Sequence, residues 1–80
     1  MKIELAISTQ NLGENTAAGN ERYAAAVKRE IQAQYPDADV SVNLVTNVDT
    51  DFCRVSDDPT GEYEEIVRET AKWVWDRADY

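Results

Sequence analysis

Ile3, Leu5 and Ile7 alternate with Lys2, Glu4, Ala6 and Ser8, and this period of two makes the opening of the chain a strand with one buried face. The period then changes. Past a polar loop through Gln10, Asn11, Gly13, Glu14 and Asn15, the residues Tyr23, Ala24, Val27, Ile31 and Gln34 recur at helical spacing. Asn15, Thr16 and Asn20 are the candidate N-caps. Pro36 ends that helix, because it disfavours α geometry at Tyr35. Val40, Val42 and Leu44 then alternate with Ser41, Asn43 and Val45 as a second strand. Asn47, Val48 and Asp49 read as a turn and Phe52 to Val55 as a third strand, so strands two and three are expected to form a hairpin. Asp58 before Pro59 places an N-cap ahead of a first helical residue, with Thr60 as a competing cap. The helix expected there carries its apolar stripe on Tyr63, Ile66, Val67, Thr70 and Val74.

The order is β-α-β-β-α. The first connection holds a helix and is long enough for a crossover, which makes strands one and two parallel, and the third strand adds an antiparallel neighbour. The expected fold is therefore α+β, a three-stranded mixed sheet with two helices packed on one face, with residues 1–80 as a single domain. A chain of 80 residues buries only about 60% of its unfolded surface and builds one modest core. A lone Cys53 forms no intrachain disulfide, which fits a reducing compartment. The opening residues lack the basic stretch and apolar run of a signal peptide. Nothing approaches the roughly 20 apolar residues of a membrane span, and a soluble, cytoplasmic protein is expected.

The residue inventory argues against an enzyme. Without His there is no Ser-His or Cys-His pair, no imidazole base and no usual zinc ligand set. Cys53, between Phe52 and Arg54 in an expected strand, reads as a small buried hydrophobe rather than a nucleophile. Glycine occurs only at 13, 19 and 61, which leaves no phosphate-cradling loop. Asp49 and Asp51 have the spacing that opens a calcium loop, but Cys53 follows at the next alternate position and Thr60 stands where a bidentate Glu is required. No cofactor and no metal are expected.

Sixteen Asp and Glu oppose eight Lys and Arg, a net charge of -8. Residues 1–36 balance, with Glu4, Glu14, Glu21 and Glu30 against Lys2, Arg22, Lys28 and Arg29. The whole excess lies between Asp37 and Tyr80, where only Arg54, Arg68, Lys72 and Arg77 oppose the acids. Such a field repels nucleic acid and anionic membranes and steers the molecule towards basic surfaces. The plainer reading is solubility, since a magnitude of about 2 to 8 is ordinary for a small domain.

On a helical wheel the core stripe of the second helix leaves Glu62, Glu65, Glu69 and Asp76 along one outer side. This acidic ridge continues towards Asp57 and Asp58, and its spacing resembles a row of backbone phosphates. Trp73 falls where ridge and core stripe meet, Trp75 on the opposite flank, and Trp beside a charged face suits an interface hot spot. The same residues also have ordinary helical roles: acids in a first turn complement the dipole, Glu64 with Arg68 and Glu69 with Lys72 are common surface pairs, and Trp73 would serve to cap the core.

Met1-Lys2-Ile3-Glu4-Leu5, the segment Arg29-Glu30-Ile31-Gln32 through Tyr35-Pro36-Asp37, Val40-Ser41-Val42, Glu65-Ile66 and Glu69-Thr70 followed by Trp and acidic residues together resemble the DinI family of DNA-damage-inducible proteins of bacteria and phages. The resemblance runs in order over nearly the whole chain. It implies a β-α-β-β-α fold and an acidic last helix that imitates single-stranded DNA in binding and modulating RecA filaments. That role would fall on Glu62, Glu65, Glu69, Asp76 and Asp79. Lys72 and Arg77 interrupt a helix end that is more continuously acidic in the family, and the loop from Gln10 to Gly19 has no clear counterpart there. Two alternatives stay open. A phage-encoded anti-CRISPR inhibitor would use the same surface to block target-DNA binding by a Cascade-type effector complex, and a small structural or oligomerisation module would use its acidity only for solubility. The expected partner is thus a nucleic-acid-binding protein, a RecA-type filament or a CRISPR effector, with no direct binding of nucleic acid or membrane. Its expected contact set is Glu62, Glu65, Glu69, Trp73, Asp76, Asp79, Asp57 and Asp58.

Overall fold

The structure is a computed structural model that describes residues 1–12 and 16–77. Its elements are β1 (Lys2–Ser8), a 3-10 turn (Thr9–Leu12), α1 (Ala17–Gln34), β2 (Asp39–Val45), β3 (Phe52–Val55) and α2 (Glu62–Arg77). The chain makes an α+β domain in the order β-α-β-β-α, with a mixed three-stranded sheet and both helices packed against it.

β1 pairs in parallel with β2, Ile3 opposite Val40 and Leu5 opposite Val42, as the crossover requires. It also pairs antiparallel with β3, Ile3 opposite Val55 and Leu5 opposite Cys53. The strand order is β2-β1-β3, so the expected hairpin between strands two and three does not form. The reason lies in residues 46–51, which cross the end of β1 instead of turning tightly. Bridging two strand spacings takes about 10 Å, well within the reach of such a segment. The crossing is held by Ser8, fully buried at the end of β1. Its N–H donates to Asp51 Oδ1 at 2.8 Å and its hydroxyl to the Val48 carbonyl, while Gln10 Nε2 donates to the Thr46 carbonyl at 3.1 Å. Central β1 buries Ile3, Leu5 and Ile7, while on the flanking strands Val40 and Cys53 are buried and Val42, Leu44 and Val55 are half-buried.

Tyr23, Ala24, Val27 and Ile31 of α1 and Val67, Thr70 and Val74 of α2 close the core over the sheet. Thr16 caps α1 by accepting the Gly19 N–H at 3.0 Å, and the helix stops before Tyr35 and Pro36, as expected. The segment after β1, read from sequence as a polar loop, instead turns immediately and buries Leu12. Two edge-on aromatic pairs join the helices to each other and to the segment after α1: Tyr23 with Trp75 at 5.2 Å and Tyr35 with Tyr63 at 5.7 Å between ring centroids. Such pairs contribute about 0.5–1.5 kcal/mol beyond the area they bury. The Tyr23 hydroxyl adds a 2.8 Å bond to the Ala71 carbonyl.

α2 begins at Glu62, later than the Asp58-Pro59 pair suggested. Asp57 (φ 58°) and Gly61 (φ +76°) both adopt the left-handed region and bracket a turn that interrupts helical continuity. Gly tolerates that geometry without a Cβ penalty. Asp58 nevertheless caps the helix from beyond the turn, one carboxylate oxygen accepting Tyr63 N–H at 3.2 Å and the other Glu64 N–H at 3.0 Å. No helix among the described residues is long and apolar enough to cross a membrane.

Candidate partner-binding surface

α2 turns Val67, Thr70 and Val74 inward, and the same helical period turns Glu62, Glu65, Glu69 and Asp76 outward, where all four are exposed. With a rise of about 1.5 Å per residue, this row spans roughly 20 Å of helix. The described residues contain two ion pairs, Lys2 with Glu4 at 3.2 Å and Arg68 with Glu64 at 3.1 Å. Neither includes a member of the row. Glu69 and Lys72, expected as a surface pair, are not within ion-pair distance. Arg68 and Lys72 line the outer surface of α2 together with Glu65 and Glu69, so the acidic row has a basic flank.

The remaining expected contact residues separate into different roles. Asp57 is exposed in the turn before α2. Asp58 has both carboxylate oxygens committed to backbone N–H groups, which makes it a helix cap rather than a free member of the row. Asp79 lies outside the described residues. Trp73 is 47% exposed, with the Arg77 guanidinium 4.2 Å from its ring centroid, a cation–π arrangement. Trp75, by contrast, packs on Tyr23. Of the expected core stripe, Tyr63 and Ile66 are left partly exposed at its edge.

The structure brings one further carboxylate to this surface. Glu30 and Gln34 of α1 face Ile66, Glu69, Thr70 and Trp73 of α2 across a groove of about 370 Å³. Gln34 Nε2 donates to Thr70 Oγ1 at 2.8 Å, and that hydroxyl donates to the Ile66 carbonyl at 2.8 Å, a relay that links the two helices at the groove. Charge bookkeeping along the sequence hides Glu30 because it belongs to the balanced half of the chain. Its helical spacing from Gln34 was the only available signal, and that spacing does not say which helix lies opposite.

Cys53 is buried on β3, and burial pushes its thiol pKa up; the nearby Arg68 opposes that shift, while Glu64 and Asp58 add to it. A thiol held protonated is a poor nucleophile. Asp51, one of the two calcium-loop-spaced acids, spends Oδ1 on the Ser8 N–H and the Asn11 amide at 2.8 and 3.2 Å. No protein-family model matches this chain, and no curated protein matches it.

Proposed function

We propose that this chain is a non-enzymatic acidic protein that imitates nucleic acid and occupies the basic DNA-binding surface of a partner protein in the cytoplasm. The observation that supports this reading is the row Glu62, Glu65, Glu69 and Asp76, exposed along one side of α2 with no ion pair among the described residues. It lies in the half of the chain that holds the whole excess of negative charge. A rigid helix presenting unpaired carboxylates at intervals of one to two turns offers a basic groove the charge it would otherwise take from a phosphate backbone. Trp73 beside the row supplies the apolar anchor that charge alone does not.

The resemblance to the DinI family makes a RecA-type filament the favoured partner, and the DNA-binding groove of a Cascade-type effector is the competing target. Both are tested by displacement of labelled DNA, from RecA-type filaments and separately from a Cascade-type complex, across a series of salt concentrations. Displacement from one of them at low salt, weakening as salt rises, is the expected result. The protein should not itself retard the DNA. Displacement from neither target, or displacement indifferent to salt, overturns the reading in favour of acidity for solubility.

A further inference from the structure

The groove between α1 and α2 combines features that the acidic row alone does not have. One wall is apolar, made by Ile66 and by Trp73, which are 37% and 47% exposed. The rim carries Glu30 from one helix and Glu69 from the other, neither of them in an ion pair among the described residues. Gln34 donates one N–H to Thr70, and Thr70 donates its hydroxyl to the Ile66 carbonyl, so the two carboxylates are the strongest attraction for a cation at the groove. A ligand seated here would therefore bring its own donors to the two carboxylates and lay an apolar stem against Ile66 and Trp73. Arginine has that composition: a chain of methylenes that packs on apolar surface, and a planar guanidinium that pairs with carboxylates and stacks on indole. The Arg77 guanidinium lies 4.2 Å from the Trp73 ring centroid, so an incoming stem would lie on the ring surface that Arg77 leaves uncovered, with its guanidinium directed away from Arg77 to the carboxylates.

We propose that this groove is a socket for a single arginine side chain on the basic surface of the partner, with Glu30 and Glu69 receiving the guanidinium and Ile66 and Trp73 the stem. The proposal rests on the mimic reading for the nature of the partner, and it adds a contact from α1 that reading does not contain. It also separates two parts of the interface. The row on α2 acts over a distance through its field, whereas the socket selects one side chain by shape and charge together.

The test is a titration of the isotope-labelled protein at low salt with the capped tripeptide Ala-Arg-Ala, followed by NMR, alongside the same peptide with citrulline, the neutral isostere of arginine. The arginine peptide should shift Ile66, Thr70, the Trp73 indole and Glu30, and the citrulline peptide should shift none of them. Glu30→Gln, a near-isosteric change at a half-buried position, should weaken the arginine peptide by about threefold, the scale of one surface charge pair, while the spectrum remains that of the folded protein. Trp73→Phe should retain most of the affinity and Trp73→Ala should lose it. Equal shifts with citrulline, shifts spread evenly along Glu62, Glu65 and Asp76, or no effect of Glu30→Gln would overturn the socket. Absent local binding by a protein that still displaces DNA from its partner, the socket fails and the mimic reading stands. Local arginine binding without any displacement leaves the socket in place and removes the mimic reading.

Discussion

Asp58 closes the N-terminus of α2 across a turn, its two carboxylate oxygens accepting the N–H groups of Tyr63 at 3.2 Å and Glu64 at 3.0 Å. One side chain thereby satisfies two of the four N–H groups that any helix start leaves without an intrahelical partner. It also places negative charge at the positive end of the helix dipole. Asp58→Ala should lower unfolding stability by about 1 kcal/mol, within the usual range for a lost cap. Asp58→Asn, which keeps one acceptor oxygen, should cost less. Urea denaturation of both variants checks this, and equal stability of the Ala variant and the parent would remove Asp58 from the capping role.

The Ser8 N–H and Asp51 Oδ1, 2.8 Å apart, hold the segment 46–51 across the end of β1. Asp51→Ala leaves a backbone donor of a fully buried residue without its partner and releases the Asn11 amide as well. The expected loss is about 1–3 kcal/mol, read as a lower urea midpoint. Hydrogen exchange at the Ser8 amide should accelerate in the folded variant. Unchanged protection there would mean that another group holds the crossing.

Burial raises the Cys53 thiol above its ordinary value of 9.0. Below that pH the folded and unfolded chains both keep the proton, so this group adds no pH dependence. Above it the unfolded chain releases the proton first, and stability falls as pH rises through the folded pKa. Tyr35, raised above 10.0 by burial and by the neighbouring Tyr63 and Asp58, extends the same trend to higher pH. The urea midpoint should hold steady between about pH 7 and 8 and decline above about pH 9, and Cys53→Ala should remove the earlier part of that decline. Alkylation by iodoacetamide at about pH 8 should be slow in the folded protein and fast in urea.

Reversing Glu62, Glu65, Glu69 and Asp76 to Lys should abolish displacement of DNA from the partner, whereas reversing Glu4 and Glu21 should change it little. The first set shares one exposed side of α2, while the second lies in the half of the chain whose charges balance. Exposed reversals usually alter stability by less than about 0.5 kcal/mol. Glu62 and Glu65 lie in the first turn of the helix, where losing acids adds up to about 1 kcal/mol. Circular dichroism alongside the displacement assay separates lost binding from lost folding. A folded quadruple variant that displaces DNA normally would move the site off this helix.

Periodicity by itself determined the element types. Ile3, Leu5 and Ile7 declared a strand, Tyr23 to Ile31 a helix, and Pro36 the helix end, because each of these signals acts through the backbone within a few residues of itself. The outward position of Glu62, Glu65, Glu69 and Asp76 followed in the same way from the inward position of Val67 and Val74. Only the tertiary structure decided which strand is central. A period of two says which face is buried but not which edge is paired, since ladder hydrogen bonds come from a backbone that every strand shares. The order β2-β1-β3 depends on Ser8 meeting Val48 and Asp51, contacts between residues far apart in the chain. Packing also assigned Trp75 to Tyr23, left Trp73 at the groove, and brought Glu30 to face Glu69. No local pattern encodes the angle at which one helix crosses another, because side chains on both surfaces set that angle together.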